Sequence, residues 1–105
     1  SQEVAEWMAP HQNADMGRAI LLLYRSASQP AMAEAGRALE NAAARPGLML
    51  LATDDPFGGS DELRRRVAAR AGARTEVLDG LGHWWMVQDP AAGAAALNRF
   101  WDTLG

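Results

Sequence analysis

The apolar positions of the first third of the chain recur at helical spacing. Val4, Trp7 and Met8 fall at i, i+3 and i+4, which predicts a short helix within residues 1–10, ended by Pro10. His11 to Asp15 form a polar connection, and Asp15 is placed to cap a second helix from about Met16 to Ala27. In that helix Ile20, Leu23, Tyr24 and Ala27 share a face that Leu21 and Leu22 widen, so it needs cover on most sides. Ser28-Gln29-Pro30 breaks the pattern. A third, alanine-rich helix then runs over 31–44, with Met32, Ala35 and Leu39 on one face.

From Pro46 onward the pattern changes. Leu48 to Ala52 is apolar without alternation, as expected of a strand buried on both faces in a parallel sheet. Ser60 caps a helix over 61–71, with Asp61 and Glu62 in its first turn, Leu63, Val67 and Ala71 toward the sheet, and Arg64, Arg65, Arg66 and Arg70 toward solvent. Thr75 to Leu78 reads as a second strand. The last helix spans about Pro90 to Leu104, with Leu97, Phe100, Trp101 and Leu104 as its stripe. Strand, helix, strand, helix in this order predicts parallel pairing of 48–53 with 75–79 through a right-handed crossover. The chain is therefore α/β: a helical segment over 1–45, then a βαβα unit over 46–105. Two strands leave an apolar edge that requires a partner.

Composition narrows the function classes. The chain has 105 residues, 49% of them hydrophobic and 22% charged, as in a globular protein. A net charge of −3 argues against nucleic acid as the main partner. All the basic residues are arginine, which with the abundant alanine points to a genomic bias more than to a function. No apolar run reaches the roughly 20 residues of a membrane helix, and no signal peptide opens the chain, so the expected compartment is the cytoplasm. Cysteine is absent, which removes disulfide and thiol chemistry. No metal-binding motif occurs, His11 reads as solvated, and no cofactor is expected.

The chemistry concentrates after the two strands. Asp54-Asp55-Pro56 follows the first, and Asp79-Gly80-Leu81-Gly82-His83-Trp84-Trp85 follows the second. A histidine in a glycine-flanked loop titrates near neutral pH and can carry protons, with Gly80 and Gly82 allowing tight bends beside it. A carboxylate at the end of one parallel strand and a histidine just after the next form an acid–base pairing on one sheet edge. Either aspartate fits that position, and an Asx-type turn before Pro56 accounts for one of them without catalysis. Trp84, Trp85 and Met86 suit either a substrate pocket or packing beneath the last helix.

In order and spacing, "PGLMLLATDDPFGG" and "LDGLGHWWMVQDP", followed by a terminal helix, resemble the C-terminal part of the α/β-hydrolase fold. The similarity covers Pro46 to Leu104 and extends to "MGRAILLLYRSA", which is like the helix before the acid strand. It implies that His83 is the general base and that Asp55, directly before the proline, is the triad acid, with Asp54 as the alternative if the register slips by one. It also implies that residues 1–45 belong to the cap and the preceding helix, with Trp7, Met8 and Met16 in the cap.

The family's nucleophile sits upstream, on a G-x-S-x-G turn that this sequence lacks. Ser26 lies in a helical run, and Ser60 follows the acid and reads as a cap. The expectation is a C-terminal hydrolase portion, esterase-like toward a small apolar substrate, partnered by an N-terminal part of the enzyme. The competing expectations are a non-catalytic binding module that keeps the fold, or a self-associating fragment.

Overall fold

The computed structural model describes residues 2–105, which fall into two compact units divided between Arg37 and Ala38. The first unit is helical. Helix α1 (Gln2–Met8) runs into a 3-10 turn (Ala9–His11) that contains Pro10, and α2 (Ala14–Ser26) follows. Asn13, not Asp15, caps α2: its extended backbone presents Oδ1 to the Met16 amide at 2.9 Å. Asp15, two residues on, lies in the first turn and pairs with Arg18. The expected helix over 31–44 divides into α3 (Ala31–Ala38) and a 3-10 segment (Leu39–Ala44). That segment is grouped with the second unit, so the boundary lies before it and not at residue 45.

The second unit is a mixed α/β arrangement built on two strands. β1 (Gly47–Ala52) and β2 (Ala73–Leu78) pair in parallel with Leu48 opposite Arg74 and Ala52 opposite Leu78. Helix α4 (Asp61–Arg70) connects them. Ser60 caps it by accepting from the Leu63 amide at 3.1 Å. A short helix α5 (Trp85–Gln88) leads into α6 (Pro90–Asp102), which Asp89 caps through the Ala92 amide. No helix among the described residues is long and apolar enough to cross a membrane.

The core is small and sits near the C-terminal ends of the strands. Ala52, Leu78 and Ala96 are buried together, with Leu50, Leu81, Trp85 and Ala92 packed around them. Leu51, which points to the opposite face from Ala52, is fully enclosed. Residues 47–50 of β1 are only half-buried, because a single neighbouring strand cannot cover the full run.

Two helical faces differ from expectation. On α4 the buried positions are Arg64 and Ala68, whereas Leu63 and Val67 remain largely exposed along the open side of β1. A one-residue shift turns a helix by about 100°, and the Arg64 guanidinium takes the inward place because polar partners await it there. On α6 the buried stripe is Gly93, Ala96 and Phe100, while Trp101, and Leu104 just past the helix, stay exposed. The small residues set this face. A Cβ at Gly93 would lie 2.2 Å from the Trp85 ring, so α6 approaches that ring only where no side chain intervenes.

Gly93→Ala is expected to destabilise the fold by about 1–3 kcal/mol, since the ring must leave its place. Gly36→Ala, in α3 with open space at the Cβ position, is expected to stabilise by about 0.5–1 kcal/mol. Urea unfolding of the two variants beside the parent reads both signs.

Candidate acid–base site

The end of each strand continues as paired backbone. The Thr53 amide donates to Leu78 O at 3.2 Å and the Asp54 amide to Leu81 O at 2.9 Å, so the loops after β1 and β2 stay joined beyond the sheet. Thr53 adds a side-chain tie: its hydroxyl oxygen accepts from the Gly80 amide at 2.8 Å and lies 3.3 Å from Asp79 Oδ1. Gly80 adopts a φ of 72°, in the left-handed region that glycine tolerates best, and this turns the chain back toward β1. Gly82 has no positive φ. It contributes its buried amide, which donates to Gln88 Oε1 at 2.7 Å and tethers the histidine loop to α5.

These ties bring Asp55 and His83 together. Asp55 Oδ2 lies 3.0 Å from His83 Nδ1, and the other carboxylate oxygen accepts from the Phe57 amide at 2.8 Å. One aspartate therefore both closes the Asx turn at Pro56 and faces the imidazole. Asp54 is exposed, and its amide serves the inter-loop pairing. The Asp55 carboxyl is held below its ordinary value, chiefly by the Phe57 N–H, then by the hydrogen bond and charge of His83, with a further contribution from the Arg64 guanidinium and against the partial loss of solvent. At neutral pH it is an anion and an acceptor only. The bond therefore assigns the proton of a neutral His83 to Nδ1 and leaves the Nε2 lone pair free to take a proton.

The imidazole is about half exposed. Phe57 stands edge-on to it with ring centroids 5.1 Å apart, and Trp84 lies perpendicular at 6.0 Å. Trp85, by contrast, packs beneath α6 against Gly93. Met86 is exposed. Among the described residues no serine or threonine side chain hydrogen-bonds His83: Ser60 caps α4, and the Ser26 hydroxyl bonds Leu23 O within α2. Trp7, Met8 and Met16 belong to the first unit, where His11 Nδ1 lies 2.8 Å from the Trp7 carbonyl oxygen. No group of three or more metal-ligating side chains occurs among the described residues.

The sequence does not single out Thr53, Phe57, Arg64 or Gln88. Threonine at a strand end and glutamine in a short helix are common, and only tertiary placement gives them a role here.

By NMR titration the Asp55 carboxyl is expected to have its midpoint below the usual value of about 3.9. Its share of stability is present above the unfolded value and is lost as pH falls through the lower, folded one. In His83→Ala the midpoint should rise only part of the way, because the larger cause, the Phe57 amide, remains. A full return to the ordinary value would show that the imidazole, not the turn, holds the anion. Comparison of the chain with protein-family models, with curated proteins and with solved structures gives no match.

Proposed function

We propose that this chain carries the acid and the base of an α/β-hydrolase-type triad, acting on an ester or related bond of a small apolar substrate. The observation that carries the reading is the Asp55–His83 pair, 3.0 Å apart just past the C-terminal ends of two adjacent parallel strands. In open α/β sheets that is the edge where ligands bind. In this reading Asp55 orients the ring and stabilises the imidazolium. His83 Nε2 removes a proton from the nucleophile and returns it to the leaving group. The nucleophile and the oxyanion-binding amides come from polypeptide other than these 105 residues, docked along the open side of β1.

A specific observation favours a second reading, a self-associating module without catalysis. Leu21, Leu22, Leu23 and Tyr24 of α2 are each more than half exposed, and residues 47–50 of β1 are incompletely covered. Apolar surface of this kind marks an association site.

The two readings separate in one experiment on residues 1–105, with p-nitrophenyl butyrate as substrate and light scattering for mass. The expected result is an associated species with no turnover above an imidazole background, since loss of a single oxyanion donor already costs about 100- to 1000-fold. Adding the complementary part of a G-x-S-x-G hydrolase from the same source should restore turnover. His83→Ala should then abolish it, and Asp55→Asn should lower it by about 10⁴-fold. Association that persists while no complement restores turnover favours the self-associating module. A monodisperse monomer with His83-dependent turnover contradicts both readings.

A further inference from the structure

Arg64 is a cation in a place where cations are costly. Its side chain is 10% exposed, on the inward face of α4. Burial of this kind persists only when the guanidinium finds partners. Nη1 donates to the Ala52 carbonyl at 2.8 Å, and Nη2 to Asp61 Oδ1 at 2.6 Å. Ala52 O also accepts from the Asp55 amide at 3.2 Å. A single carbonyl at the end of β1 is thus held by the arginine from one side and by the acid's own backbone from the other. The intervening loop closes on the guanidinium as well. A Cβ at Gly58 would come within 3.1 Å of Arg64 Cδ, so the chain after Phe57 lies directly against the arginine stem.

We infer that Arg64 is a positioning residue for the Asp55–His83 pair: by bonding Ala52 O together with the Asp55 amide, and Asp61 at the far end of the loop, it fixes the turn that aims the carboxylate at the imidazole. The alternative is an arginine that only holds α4 against the sheet. Removing the guanidinium distinguishes the two roles. Loss of a fold-holding arginine changes overall stability and takes away the guanidinium's charge, which by itself lets the Asp55 midpoint rise, but leaves the turn and its Phe57 amide bond in place in any variant that still folds. Loss of a positioning arginine loosens the turn as well, so the Phe57 amide loses its bond to Asp55. The inference rests on the pairing of Asp55 with His83 and not on turnover, so failure of the hydrolase reading leaves it standing.

The test compares Arg64→Met, which keeps the apolar stem, Arg64→Lys, which keeps the charge without the fork, and Arg65→Met, an exposed neighbour on the same helix, as control. Carbon-13 titration of the Asp55 carboxyl and hydrogen exchange of the Phe57 amide are read in each, with circular dichroism as the check on folding. In Arg64→Met the Asp55 midpoint is expected to move up toward the ordinary value of about 3.9, and the Phe57 amide to lose protection. Arg64→Lys should lose the amide protection with a smaller movement of the midpoint, and Arg65→Met should change neither. A folded Arg64→Met that keeps the parent's Phe57 protection overturns the inference, even if the Asp55 midpoint rises through the lost charge. If Arg64→Met does not fold, Arg64→Lys decides: unchanged Phe57 protection in that variant overturns it equally.

Discussion

The site depends on the backbone pairing that outlasts the sheet. Once β1 and β2 are in parallel register, the bonds from Thr53 to Leu78 and from Asp54 to Leu81 leave the two adjoining loops little freedom to separate. Asp55 is the next residue on one side, and His83 is two residues past Leu81 on the other. Their approach follows from main-chain geometry, and side-chain attraction alone does not have to produce it. A His–Asp pair whose imidazole is half exposed would by itself contribute little to holding two loops together. The ladder, the Thr53 hydroxyl and the Gly82–Gln88 tie set the positions, and the pair results from them.

The same arrangement explains why the carboxylate is well defined while the imidazole is accessible. Asp55 commits one oxygen to the Phe57 amide and the other to His83. Its charge is therefore stabilised within its own turn before the histidine contributes. An anion fixed in this way selects the ring tautomer whose free nitrogen points away from it, which is the arrangement a proton acceptor needs. Phe57 and Trp84, at right angles to the ring or nearly so, border it with apolar surface.

Much of this was legible in the sequence. The unbroken run 48–52, Ser60 ahead of Asp61-Glu62, and Asp89-Pro90 ahead of an alanine-rich stretch each carry a local cause for strand or helix, and each element forms. Chain order and strand direction place one of Asp54 and Asp55 beside His83, and only the resemblance favoured Asp55; in the structure it is Asp55 that meets the ring. What escaped was rotational and tertiary. Leu63 and Val67 look like the inner face of α4 because hydrophobicity ranks them above Arg64. The guanidinium lies inward because the Ala52 carbonyl and Asp61 offer it bonds that no pattern of apolar residues encodes. Trp101 and Leu104 look like core for the same reason, yet α6 turns its smallest residues inward to admit Trp85. Asp15 was as good a cap by composition as Asn13, and only the extended backbone at Asn13 decides between them.

With its carboxylate 3.0 Å from the ring, Asp55 fixes the proton of a neutral His83 on Nδ1. Long-range nitrogen-15 correlation spectra of the imidazole, recorded at alkaline pH where the ring is neutral, assign the tautomer directly. The expected result is a neutral His83 predominantly protonated at Nδ1, with that preference lost in Asp55→Ala. A neutral ring protonated mainly at Nε2 in the parent protein would mean that Asp55 does not hold the histidine, and that the pair is a close approach without chemical consequence.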